Sequence, residues 1–159
     1  MRITKIRLQN LNSLVGEWEV DLTADDFTAD GIFAIIGPTG AGKSTILDAI
    51  CLALYGRTPR LRVVNQGSNE IMSRTTGDCF AEVEFTTAQG RFRSFWSQHR
   101  AYKLPTGELR PAKHEVFDID ADELLGEKIR DSAEEVERVT GMDFERFTRS
   151  MLLAQGDFS

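Results

Sequence analysis

Cysteine is scarce in this chain of 159 residues: Cys51 and Cys79 are the only two. Neither belongs to a CxxC pair and both lie in apolar patterns, so buried free thiols are expected in place of a disulfide or a metal site. Long apolar runs are missing as well. Gly, Asp or Lys interrupts each of them well short of a spanning helix, and the opening MRITKIRLQN alternates charged with apolar residues, unlike a secretory signal. The expectation is no membrane and a cytoplasmic location. Positive charge is in deficit, with 19 Lys and Arg against 25 Asp and Glu, a net charge of -6 and a pI near 5.0. Any nucleic acid must therefore be met by a local basic surface, because the field of the whole chain repels phosphate. Histidine is limited to His99 and His114, and neither has the carboxylate constellation around it that a general base needs.

What is present reads as one folded unit without repeats or low-complexity linkers. Hydrophobic content of 41% with 28% charged residues suits a globular domain large enough to bury its own core. In TKIRLQNL, Thr4, Ile6 and Leu8 alternate with Lys5, Arg7 and Gln9, the period of a half-buried strand, and EWEVDL does the same. The continuously apolar run 32–36 predicts a strand covered on both faces. After it, Ile46, Ile50 and Leu54 recur at helical spacing beside Leu47 and Cys51, in a helix closing near Gly56. CFAEVEFTTAQGRFRSFW predicts two strands joined at Gln89 and Gly90, with Cys79, Ala81, Val83 and Phe85 on one face. HEVFDI adds a short strand. DELLGEKIRDSAEEVERVTG predicts a helix stopped by Gly141, MDFERFTRSM a second one capped by Asp143, and LLAQ a closing strand. The order is that of a mixed α/β domain.

The residues Gly37, Pro38, Thr39, Gly40, Ala41, Gly42, Lys43 and Ser44 form a complete GxxxxGK[ST], directly after the predicted buried strand and directly before the predicted helix. Such a turn aims successive backbone N–H groups at phosphate oxygens, and the helix that begins near Lys43 adds its positive dipole end. In that context Lys43 reaches the β- and γ-phosphates, Ser44 ligates Mg²⁺ through its hydroxyl, and Thr45 hydrogen-bonds the α-phosphate.

Together LQNLNSLVGEWEVDL, GPTGAGKSTILDAICLALYGRTPRL and FTRSMLLAQGDF resemble the amino-terminal ATPase lobe of the SbcC family, bacterial DNA-repair ATPases of the SMC-like, ATP-binding-cassette group. The resemblance spans essentially the whole chain. It implies an α/β lobe whose mixed sheet has an antiparallel portion and flanking helices, with the cradle at 37–45, antiparallel strands over about 79–119, helices over about 121–151 and a Q-loop at about 155. It also implies a split enzyme. This lobe would be followed by a coiled coil ending in a zinc hook and by a returning carboxyl-terminal lobe. Two heads would sandwich two ATP molecules, as a homodimer, and a partner nuclease, SbcD, would cut double-stranded DNA. A Walker B acidic pair, a signature LSGG loop and a switch histidine are not visible after Gly56. The chain is therefore expected to be the nucleotide-gripping half of the enzyme and inactive alone.

By the same resemblance, Gln155 in LLAQGDF contacts Mg²⁺ and the attacking water, a place suited to a neutral amide that both donates and accepts. Asn12 and Ser13 fall where the wider family carries an arginine and a serine touching nucleotide. The two residues are equally read as turn formers. Ser73 and Arg74, in MSRTTG, fall beside the base and ribose. Two basic stretches are candidates for sequence-independent DNA contact, one with Arg57, Arg60 and Arg62 and the other with Arg91, Arg93, Arg100 and Lys103, a solvated strand face being the alternative. Trp18 and Trp96 are expected to be core or packing residues rather than base-stacking platforms. A mechanical ATPase that bridges DNA without a nuclease is the other functional reading.

Overall fold

The computed structural model describes residues 1–24, 35–38, 40, 42–59 and 68–150. The remainder of the predicted strand at 32–36, Thr39, Ala41, Arg60, Arg62, the closing LLAQ strand and Gln155 lie outside the described residues. Six strands, β1 (Arg2–Leu11), β2 (Leu14–Asp21), β3 (Asp78–Thr87), β4 (Gly90–His99), β5 (Lys113–Asp118) and β6 (Glu123–Gly126), form one antiparallel sheet in the order β2-β1-β3-β4-β5-β6. Among the described residues three α-helices accompany it: α1 (Lys43–Tyr55), α2 (Ile129–Thr140) and α3 (Phe144–Ser150).

The period-2 pattern decides which face of the sheet is covered. Ile6, Leu8, Cys79, Ala81, Val83, Phe85, Phe92, Trp96 and Val116 point into the core, where they meet the apolar stripe of α1, Val136 and Val139 of α2, and Phe147 of α3. A register shift between Ile3 and Lys5 brings Ile3 into this core too, and Thr4 at the shift hydrogen-bonds the Glu84 carbonyl at 3.1 Å. The opposite face carries charge and half-buried rings. Arg7 bridges Glu17 at 2.7 Å and Glu82 at 2.9 Å across three strands, Lys5 pairs with Glu19, and Phe80 packs on Phe95. Opposite charges on directly paired strands are the sheet form of helical ion pairs.

Both predicted helix stops are observed, with Gly56 at φ 69° and Gly141 at φ 71° in the left-handed region. Asp143 accepts the Arg146 N–H at 2.7 Å, as a cap of α3 should. Three expectations need correction. DELLG is not the first turn of a helix: it forms edge strand β6 on β5, and the helix starts at Ile129. A helix through Gly126 would carry a residue that costs about 1 kcal/mol there. As a strand end, Gly126 lets the chain abut Ser132, whose Cα lies 3.0 Å from where a Cβ would stand. Trp96 is buried as expected, but Trp18 is 51% exposed on outer strand β2, where its indole N–H donates to the Val15 carbonyl. Ile36 is 88% exposed, so no described residue supplies the burial expected at the end of 32–36.

Candidate functional site

The cradle begins at the N-terminus of α1. Gly42 precedes the helix at φ 94°, a left-handed conformation that favours glycine, and no side chain caps the first turn. A Cβ at Gly42 would come within 2.9 Å of Leu14 in the β1–β2 hairpin. The hairpin turn is thus packed directly against the cradle. Gly40 is also left-handed, at φ 85°. The Lys43 ammonium folds back over this turn and donates to the carbonyls of Gly37 and Pro38, the latter at 3.1 Å. Ser44 is exposed at the mouth of the helix, whereas Thr45 is buried beneath it. Uncapped first-turn N–H groups, left-handed glycines and an ammonium at one point are the chemistry of a phosphate site. Among the described residues no cluster of three or more His, Cys, Asp or Glu side chains could hold a metal. The Ser44 hydroxyl fits Mg²⁺, which takes few protein ligands and fills its sphere with water and phosphate oxygen.

The structure brings three of the sequence candidates together. Asn12, at φ 49° in the hairpin turn, donates from its amide nitrogen to Thr45 Oγ1 at 3.2 Å and to Asp48 Oδ2 at 3.3 Å. Its backbone N–H donates to the Ile71 carbonyl at 2.7 Å, and its carbonyl accepts the Ser73 hydroxyl at 2.7 Å. Ser73 thus acts on the hairpin turn rather than facing outward. Ser13 and Arg74 are exposed. Arg74 lines a cavity of about 430 Å³ with Asn69, Thr76, Arg100 and Pro105. Asp48 is a residue that the sequence reading passed over. It is 5% exposed, and an acidic side chain inside the apolar stripe of α1 was the available signal.

Among the described basic candidates, Arg57, Arg91, Arg93 and Arg100 are engaged within the protein. Arg91 is ion-paired with Asp120 at 2.8 Å, the Arg93 guanidinium lies over Phe117, Arg100 donates to the Gly107 carbonyl, and the Arg57 guanidinium lies 3.8 Å from the centre of the Phe144 ring. Lys103 stands exposed beside Tyr102 on a left-handed turn, with both residues at φ 55°. His99 is exposed and bonds the Arg100 carbonyl, whereas His114 is fully buried. Cys51 and Cys79 are free and buried, and burial pushes both thiols up to about 12, which keeps them protonated and unreactive. No described helix is long and apolar enough to cross a membrane.

A family model described as an AAA domain matches residues 5–159. The chain is 41% identical to the SbcC protein of the SbcCD nuclease from Pseudomonas aeruginosa, over 100% of this chain and 14% of that protein. It is 36% identical to the SbcC protein of Rhodobacter capsulatus, over 99% of this chain and again 14% of the relative. The chain thus spans about 14% of the length of these curated relatives. A solved structure from work on "ATP-driven dimerization and DNA stimulated activation of SMC ATPases" superposes with a TM-score of 0.57 at 16% identity, covering 99% of this chain and 89% of that one. That likeness concerns the fold, and it agrees with the expected α/β lobe of antiparallel sheet and flanking helices.

Proposed function

Because this chain belongs to the AAA-domain family and resembles the SbcC proteins of SbcCD nucleases along its whole length, we propose that it is the ATP-gripping amino-terminal lobe of a two-lobe ATPase head in a DNA-end-processing nuclease complex. One observation carries the reading: a complete GxxxxGK[ST] opens directly into an uncapped helix, with Lys43 folded over its own turn and Thr45 held by the neighbouring hairpin. Lys43 neutralises the β- and γ-phosphates, the first-turn amides of α1 cradle them, the Ser44 hydroxyl would hold Mg²⁺, and Thr45 donates to the α-phosphate. Bound Mg²⁺ supplies charge neutralisation for the departing phosphate. Gln155 orients the attacking water and reports the γ-phosphate. Ser13 and Arg74 border the nucleotide, and Ser73 holds the turn that carries Asn12. The carboxyl-terminal lobe supplies the remaining catalytic groups and covers Ile36. ATP closes two such heads onto each other, which controls cutting of double-stranded DNA by SbcD in the cytoplasm.

Gripping and sensing are separable in the complete protein. Lys43→Ala is expected to abolish nucleotide binding and ATP-dependent head pairing while leaving the fold intact, since the side chain is partly exposed and opens no core cavity. Gln155→Ala should leave ATP affinity within about twofold and lower turnover by roughly a hundredfold, the scale for losing one preorganised hydrogen-bonding group at a reacting centre. A nucleotide titration run beside a turnover assay decides. Equal losses in both for Gln155→Ala would make it a gripping residue, and head pairing that survives Lys43→Ala would refute the cradle.

A further inference from the structure

Asp48 is the only acidic side chain in α1, and it is buried one helical turn beyond Ser44. One of its partners is the amide of Asn12, which also reaches Thr45. Both backbone groups of Asn12 are pinned, one on Ile71 and one by Ser73, which keeps its amide beside both α1 side chains, and there the half-turn that exchanges amide nitrogen and oxygen decides which group faces them. A carboxylate only accepts hydrogen bonds. It therefore draws the NH₂ edge of Asn12 toward itself, and the same edge then faces Thr45 Oγ1. Having accepted an N–H, the threonine hydroxyl keeps its own proton to donate elsewhere, and the incoming N–H strengthens it as a donor. With the amide reversed, Asn12 Oδ1 would take that proton.

We propose that Asp48 is a positioning residue of the nucleotide site, which sets the Thr45 hydroxyl through Asn12 as a donor toward the α-phosphate. The relay rests on the phosphate-cradle reading above, and it adds a direction to one of its hydrogen bonds. It also explains why the hairpin turn is tied down at Ser73 and Ile71: the amide must stay within reach of both α1 side chains.

The test exchanges the two partners. Asn12→Asp combined with Asp48→Asn keeps the net charge, the volumes and a hydrogen-bonded pair, yet it places an acceptor-only group on Thr45. The complete protein is titrated with Mg-ADP and with its α-thio analogue, in which sulfur replaces an α-phosphate oxygen. Wild type is expected to prefer Mg-ADP. The double exchange should weaken Mg-ADP by roughly tenfold, the scale of one hydrogen bond to a charged group, and should erase the preference over the thio analogue. Asp48→Asn alone should move both readouts in the same direction but less, because the amide then populates both orientations. Should that single variant fail to fold, the double exchange carries the test by itself. Wild-type affinity in the double exchange, or weakened binding that keeps the thio preference, overturns the relay and leaves the cradle standing. Wild-type protein that does not bind Mg-ADP overturns the cradle reading, and the relay with it.

Discussion

At the scale of single residues, His114 shows how burial turns a common side chain into a pH liability. It is fully buried, and its Nε2 lies 2.9 Å from Ser94 Oγ. The Ser94 hydroxyl donates to the Ala53 carbonyl, so its oxygen accepts the Nε2 proton and the imidazole is neutral, with no hydrogen-bond partner for Nδ1 among the described residues. Desolvation pushes the ring down to about 4 from an ordinary value of 6.5. Above pH 6.5 neither the folded nor the unfolded chain protonates it, and the full stability is present. As pH falls from 6.5 toward about 4, only the unfolded chain takes up the proton, and up to about 3 kcal/mol is lost. Urea midpoints measured across that window should fall, and His114→Gln should flatten this part of the profile. An unchanged slope in the variant would assign the acid sensitivity to other groups.

At the scale of elements, the far end of α1 matters as much as its cradle. The Tyr55 hydroxyl donates to the Met142 carbonyl at 2.8 Å, and its ring packs against Phe144 and Phe147 at 5.8 and 5.5 Å. The described turns of α3 are anchored to the end of α1 by this contact. Tyr55→Phe is expected to cost about 1 kcal/mol, and native-state hydrogen exchange should speed up in α3 while β3 and β4 keep their protection. Equal loss everywhere would mean that the hydroxyl supports the global fold. Elements whose burial depends on their own pattern were legible from sequence: the β3–β4 hairpin from its alternation, α1 from its stripe and its glycine stop. DELLG was not, because its strand state comes from pairing with β5 and from the backbone of Ser132 beside Gly126, neither of which the local sequence encodes. Within the site, the cradle could be read from spacing, whereas the inward turn of Asn12 could not, since its partners Thr45 and Asp48 lie more than thirty residues away. Trp18 was misplaced because alternation marks a face of a strand without saying whether anything covers it.

At the scale of the whole molecule, the proposal makes this lobe half of a site. The isolated chain is expected to bind Mg-ATP weakly and not to turn it over, because the catalytic acidic pair and the signature loop of a second head would come from elsewhere. Calorimetry of the chain alone, followed by addition of the carboxyl-terminal lobe, measures this. Tight binding and steady hydrolysis by the chain alone would contradict it. The sheet supports the same division of labour. β1 pairs with β3 although some seventy residues separate Gln9 from Phe80, and the cradle and α1 lie within that interval. The interval that carries the cradle and α1 is therefore closed at its two ends by strands of a common platform, β2 before it and β3 after it. The cost of closing such an interval grows only by about 0.6 kcal/mol for each doubling of its length. Insertions between α1 and β3 should thus be cheap for the platform where they leave the buried Thr58, Ile71, Met72 and Ser73 in place, and such additions are how the lobe can gain new surface without renegotiating its core.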